Sequence, residues 1–354
     1  MTYGFATDSP LVSQVFYTNG STLRMTRSNQ FDNLNRLTNL VWTAGSTVVA
    51  SFAQQFNSAN QKTRVTMADG SYWLYQYDTL GQVTSSKKYW SDGTPTAGQQ
   101  STYDFDDIGN RKSAASGGDQ FGLNLRSATY GANLLNQYTN HTVPGYVDIL
   151  GSATNTATVT VNNLPTYRRS DYFRAELTAT NASGSLWFGV TNLAVLNNGT
   201  NADIIASTIG NVYMPQTPET FAYDLDGNLT NSGRWAMTWD AENRATSFTR
   251  ISAAPSGSKV KLDCTYDYRW RRTQKIVSTW NGSAYVAQST NKFVYDGWNL
   301  VAILDATNGL VQSFTWGSDA SGTLQGAGGV GGLISMTVHL VWCNSAGFTM
   351  VHLC

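Results

Sequence analysis

The chain has 354 residues, with 23 basic against 23 acidic, and only 13% of it is charged where ordinary soluble domains carry roughly 25%. Zero formal net charge excludes an electrostatic footprint for nucleic acid or an anionic membrane, and 11 Trp, 18 Tyr and 14 Phe favour strands and tight turns over helices. Three cysteines at unrelated spacings, Cys264, Cys343 and Cys354, give neither a disulfide framework nor a zinc pattern.

The first residues, MTYGFATDSPLVSQVFYTNG, lack the basic start and apolar core of a secretory signal. The expectation is therefore a protein that stays inside, leaves by a signal-independent route, or is a fragment of a longer chain. Residues 1–137 read as an array of β-hairpins. An aromatic followed by Asp recurs at Phe31-Asp32, Tyr77-Asp78 and Phe105-Asp106, with a degenerate copy at Phe56. In Tyr77-Asp78-Thr-Leu-Gly81-Gln-Val-Thr84 the aromatic ends one strand, Asp78 starts the turn by accepting backbone amides, and Gly81 takes the positive φ that closes it. A Val-Thr or Leu-Thr pair then opens the return strand. Asp69-Gly70, Asp92-Gly93 and Ala44-Gly45 mark further turns.

From Phe105 to Tyr223 the motif is silent for 118 residues, too long for a loop in a compact domain. Short β-prone runs over residues 138–216, such as Ala157-Thr-Val-Thr-Val161 and Leu186–Val195, predict an inserted small β-sandwich, left through Pro215 and Pro218. Residues 217–332 return to the array. Here Tyr223-Asp224-Leu-Asp-Gly227, Trp239-Asp240, Tyr266-Asp267 and Tyr295-Asp296-Gly297 repeat the unit at 16, 27 and 29 residues, about one hairpin per repeat. Asn281-Gly282 and Asn308-Gly309 are hairpin turns in between. The glycine run Leu324–Leu333 predicts a flexible connecting loop. Residues 333–354 form an atypical tail that holds His339, His352, Cys343 and Cys354, as an out-of-frame or eroded end would; Asn344, Ser345 and His339 make it a poor membrane span, and none is expected.

The units YDTLGQVT, YDLDGNLT, WDAENRAT and YDGWNLVA, with the late run LQGAGGVGGL, resemble the RHS (YD-repeat) family of bacterial polymorphic-toxin proteins over roughly residues 1–333. The resemblance implies an all-β fold in which tandem antiparallel hairpins form part of a spiral sheet or shell enclosing a C-terminal toxin, secreted or at the cell surface. The insert is similar to bacterial immunoglobulin-like modules. Past residue 332 the family's core segment, self-cleaving aspartate and toxin are not found in this sequence, so those residues are not carried over.

Chemical motifs give way to plainer readings. Gly326-Ala-Gly328-Gly-Val-Gly331 fits a dinucleotide fingerprint in letters, but the residues after it are β-prone and lack the acidic ribose partner. Asp224, Asp226 and Asn228 mimic a calcium loop, yet the glycine is early and Trp235 stands where the bidentate Glu belongs, so an Asp-anchored turn is expected; Asp104, Asp106 and Asp107 read alike. Asp240 and Glu242 sit at a turn and read as solvated acids rather than a glycosidase pair. His141, His339 and His352 have no partner at triad or ligand spacing. Arg269, Arg271, Arg272 and Lys275, interleaved with Tyr266, Tyr268 and Trp270, predict a strand with a cationic face and an aromatic packing face, more than a platform for bases or sugars. The expectation is a non-catalytic shell segment with no cofactor and no metal, whose partner is a toxin domain or other enclosed polypeptide. The alternative is a cell-surface adhesin or carbohydrate-binding protein that presents aromatic faces to glycans; an enzyme trails both.

Overall fold

The structure, a computed structural model, describes residues 2–319 and 321–339; the rest of the atypical tail, with Cys343, His352 and Cys354, lies outside the described residues. Among the described residues the regular elements are strands, save one 3-10 turn at Ser256–Ser258. None of their helices is long and apolar enough to cross a membrane. The chain divides into two compact units. One takes the described chain up to Gly131 with Tyr146–Thr178 and Ala194–Ile204; the other takes Ala132–Gly145, Ala179–Leu193 and the described chain from Ile205. The division runs through the segment 138–216, and the strands Leu186–Leu196 and Ile204–Met214 contribute residues to both sides.

In the first unit the strands follow one another as an antiparallel meander from Thr2–Phe5 to Leu125–Ala132, each paired with its predecessor. Few of their side chains are fully buried: Val15, Ala97 and Ala128 are the apolar ones, and most positions are half-buried on both faces. Cross-strand rings supply the packing instead. Trp42 meets Phe52 edge-on at 6.1 Å, Tyr72 stacks on Tyr89 at 5.4 Å, and the Arg64 guanidinium lies 3.6 Å from the Tyr72 ring centre.

A denser core lies in the same unit. Tyr146–Ser152, Tyr172–Thr178 and Tyr167–Arg169 form a three-stranded antiparallel sheet in which Tyr172–Thr178 is the central strand. Period-two alternation buries Phe173, Ala175 and Leu177 with Ile149 on one face. It leaves Asp148, Arg174 and Glu176 on the other, where Arg174 Nε donates to Asp148 Oδ1 at 2.6 Å, its Nη2 to Glu176 Oε2 at 2.6 Å, and Arg126 closes on Glu176.

The second unit holds a ten-stranded meander from Ala222–Tyr223 to Leu333–Val338, and also the antiparallel pair Tyr138–His141 with Glu219–Thr220. The start of the expected tail is thus a strand: Leu333–Val338 pairs with Leu310–Trp316, Phe314 opposite Met336. The glycine run before it is also ordered. Asp319, 6% exposed, accepts Ser321 N on one carboxylate oxygen and the amides of Ala327 and Gly329 on the other, so the connecting loop expected from glycine content folds around a buried acid. The hydroxyl of Ser321 and these amides hold its carboxyl at about 2.

Candidate functional site: the repeated turn and its clasp

One five-residue turn recurs along both meanders. At Asp32, Asn57, Asp78, Asp106, Asn133, Asp224, Asp240, Asp267 and Asp305 the side-chain oxygen Oδ1 accepts the amides two and four residues on, at 2.8 to 3.1 Å. The main chain closes the same ring, as where Asp78 N donates to Gln82 O and Gly81 N to Asp78 O. This geometry forces a positive φ at the third residue after the anchor, met by Gly81 (85°), Gly109 and Gly227 (83°), or by Asn35, Asn60, Asn136, Asn243 and Asn308. The exception is Trp270, at 65°, where an L side chain other than Asn costs about 1–2 kcal/mol.

The residues around the anchor have fixed tasks. Directly before it, at the aromatic, the ladder shifts register by one residue: Gln76 faces Ser85, but Tyr77 faces Val83. The threonine six residues past the anchor repairs this bulge, because its hydroxyl takes the carbonyl two residues before the anchor. Thr38 does so on Gln30, Thr63 on Gln55, Thr230 on Ala222, Thr246 on Thr238 and Thr273 on Thr265. The Thr of each Leu-Thr pair is therefore a bonded bulge residue, beyond its β propensity.

The aromatic reaches back to the previous unit. Tyr77 Oη donates to Lys62 O at 2.7 Å, Tyr223 Oη to Tyr138 O at 3.1 Å, Tyr266 Oη to Ala245 O at 2.9 Å and Tyr295 Oη to Arg272 O at 3.1 Å. Each acceptor is the residue five past the preceding anchor, and Trp239 Nε1 makes the same bond to Leu229 O. Arginine four past the anchor works in the forward direction. Arg36, Arg244 and Arg271 each bind their own Asp through Nε, at 2.7 to 2.8 Å, and extend Nη1 to the main chain of the next turn, at Asn57 O, Asp267 O and Gly297 O. The same guanidinium groups lie over the next unit's ring: Arg36 at 4.9 Å from Phe56, Arg244 at 5.4 Å from Tyr266, Arg271 at 5.0 Å from Tyr295. Together they form a clasp, one charged group tied to an acid, a carbonyl and a ring in two successive repeats. The sequence carries this signal as Asp-x-x-x-Arg, which the turn motif alone overlooks.

Tyr295-Asp296-Gly297 is built differently. Asp296 faces Asn299 across a two-residue hairpin with Gly297 at φ 56°, and the bond formed at Asp296 is to its carbonyl, from Gln325 Nε2. Trp298 N donates to Gln325 Oε1. Replacing Asp224 by Ala is accordingly expected to lower the urea midpoint while replacing Asp296 by Ala leaves it in place; equal losses would show that the two turns share one anchor. Nor is the Arg269–Lys275 stretch one strand. Residues 267–271 are a turn that carries Tyr268 and Trp270 outward, 80% and 61% exposed, because the Asp267 amide bonds end the ladder there.

Ionisation follows the bonding. At Asp32, Asp224, Asp240 and Asp267 partial desolvation opposes the charge, but the amide and side-chain bonds outweigh it and hold each carboxyl below the ordinary range. At Asp106 the Asn110 amide, and at Asp305 the Thr307 hydroxyl, leads the lowering. A depressed folded pKa means stability present above the unfolded value and lost as pH falls through the folded one. Urea midpoints are expected to hold near neutrality and drop together below about pH 4; a flat profile down to pH 2 would contradict the shared role.

Asp240 and Glu242 both engage Arg244, His141 lies 3.1 Å from Glu219, and among the described residues no group of three His, Cys, Asp or Glu side chains could hold a metal. Asp224 and Asp226 share a turn in which Asp226 donates its amide to Asp224.

No known protein-family profile matches the chain. Over 128 residues, 35% of its length, it is 32% identical to the tRNA nuclease WapA of Bacillus subtilis (strain 168), covering 5% of that protein. Over 101 residues, 28% of its length, it is 36% identical to the tRNA(Glu)-specific nuclease WapA of Bacillus subtilis subsp. natto, covering 4%. The chain thus spans about a twentieth of the length of these curated relatives. Among solved structures, a TcdB2-TccC3 crystal structure aligns with TM-score 0.30 and 11% identity over 86% of this chain and 18% of that one. The Photorhabdus luminescens Tc holotoxin pore aligns with TM-score 0.31 and 12% identity over 86% and 17%. Both likenesses are too distant to assign a role.

Proposed function

We propose that the chain is a non-catalytic wall segment of an RHS-like polymorphic-toxin protein, a β shell that encloses and delivers a polypeptide. The clasp is the observation that carries this reading. Three arginines, Arg36, Arg244 and Arg271, each tie their own turn to the next one, and four tyrosines reach back to the preceding unit, links between neighbours that suit a continuous wall. Similarity to the WapA nucleases over a third of the chain supports the same family setting. The partner is the enclosed toxin domain, and no cofactor is required.

Two assays test this. Purified chain incubated with total tRNA is expected to leave it intact; cleavage would overturn the non-catalytic reading. A protease-sensitive reporter polypeptide appended to the chain should be digested more slowly than the same reporter alone, and equal rates would overturn enclosure. The adhesin alternative draws on one specific feature, the exposed rings at Tyr268, Trp270 and Trp298.

A further inference from the structure

Trp270 is an outlier in two respects at once. Every other five-residue turn among the described residues places Gly or Asn at the position that needs a positive φ, whereas this one holds a bulky side chain there at 65°, and that side chain is 61% exposed. Exposure means that the ring contributes little packing to offset the strain. Strained residues retained without an internal reason cluster where a surface is used.

The neighbouring positions form a surface to match. Tyr268 on the same turn is 80% exposed, and Trp298 on the next turn of the same sheet edge is 58% exposed. Arg271 ties the two turns together through Gly297 O, and Gln325 fixes the second by accepting Trp298 N. Two strands separate the turns, which therefore stand roughly 10 Å apart along the edge, two strand spacings. Beside Gly297 opens a cleft of about 670 Å³ lined in part by Asn299, Phe314, Trp316 and Gln325. Asn299 is 5% exposed, and among the described residues its Oδ1 has no hydrogen-bond donor.

We propose that this edge binds a β-linked polysaccharide, with sugar rings stacked on Trp270 and Trp298 and a hydroxyl donated toward Asn299. The chemistry narrows the occupant. Exposed indole rings on turns one disaccharide length (~10 Å) apart suit pyranose faces of an extended chain. Arg271 is paired with Asp267, which leaves Arg269, over the Tyr268 ring at 5.3 Å, as a single cation on its turn, too little charge of one sign to select a polyanion or a polycation. A buried acceptor without a donor fits a ligand rich in hydroxyls.

The test sets stability against binding. Intrinsic tryptophan fluorescence and calorimetry would be followed with two probes, the hexasaccharides of β-1,4-linked glucose and of β-1,4-linked N-acetylglucosamine, and a polyproline decapeptide as the competing occupant. At least one hexasaccharide is expected to bind wild type, with affinity falling tenfold or more in Trp270→Gly and in Trp298→Ala. Trp270→Gly should also melt at a higher temperature than wild type, since relief of the positive φ outweighs the freedom glycine adds to the unfolded chain and the little packing the exposed ring supplies. No binding of either hexasaccharide, capture of the decapeptide alone, unchanged affinity in both variants, or a lower melting temperature for Trp270→Gly would each overturn the proposal. None of those results bears on tRNA cleavage or reporter protection, so the shell reading stands or falls separately.

Discussion

Arg174→Met is expected to destabilise the first unit by about 3–5 kcal/mol, the cost of breaking a buried ion pair from one side. Arg174 and its partners Asp148 and Glu176 are 11%, 13% and 15% exposed. Removal of the guanidinium strands Asp148 without a cation, while Glu176 keeps Arg126. The two acids already differ in the intact protein. Desolvation at Asp148 exceeds the pull of Arg174 and pushes its carboxyl up to about 6. At Glu176 desolvation is outweighed by bonds from Arg126 and Arg174, and its carboxyl is lowered. These directions do not conflict, because Glu176 receives two guanidinium groups and Asp148 chiefly one.

The pH effect takes its sign from these shifts. A raised folded pKa means that the Asp148 contribution is fully present below about pH 4 and lost as pH rises through about 6. The loss caused by Arg174→Met should therefore be larger at pH 8 than at pH 5, where the stranded carboxyl can take a proton. Asp148→Asn, which keeps an acceptor for Arg174 but removes the charge, should be stabilising at pH 8 and less so at pH 5, approaching neutral only below about pH 4. Urea melts at the two pH values read both, and equal losses at both would mean that Asp148 is not the group left stranded.

Ile149→Ala is expected to cost about 2–5 kcal/mol, the range for deleting a branched side chain from a packed interior. Ile149 is 1% exposed and faces Ala175 on the central strand of the three-stranded sheet, with Phe173 and Leu177 on the same face. Val41→Ala, at a half-buried meander position, should cost far less, because it removes a smaller side chain and leaves less of a cavity. Thermal melts of the two variants compare them directly; equal losses would mean that the meander holds a core as dense as that around Ile149.

That contrast explains what the sequence discloses. The turn anchors are legible, since Asp or Asn after an aromatic and Gly or Asn three residues later is local chemistry that five residues settle. All-β architecture is legible for the same reason, as is the scarcity of helix. Asp296 reads like the other anchors because Tyr-Asp-Gly matches their letters, yet the glycine comes two positions early and closes a shorter hairpin. Trp270 reads as part of a strand because period-two alternation runs through Tyr266, Tyr268 and Trp270; the Asp267 side chain, bonded to the amides of Arg269 and Arg271, overrides the periodicity. The clasp stays hidden because its partners are 20 to 24 residues apart, as with Arg36 and Phe56 or Arg271 and Tyr295, and only the strand register brings them together. Composition discloses a connecting loop at the glycine run but not what holds it. A single Asp319 buried among its amides orders it.

If successive repeats are locked by the clasp, then Arg271 and Tyr295 must be energetically coupled across the strands between them. A double-mutant cycle with Arg271→Ala, Tyr295→Leu and the pair, read by urea unfolding, measures that coupling without confusion from the turn bonds Arg271 makes at home. The account predicts a coupling of about 0.5–2 kcal/mol, the range for a partly buried cation over a ring. Additive losses, with no coupling beyond error, would mean that each hairpin stands by itself, and the continuous wall on which the proposed function rests would be contradicted.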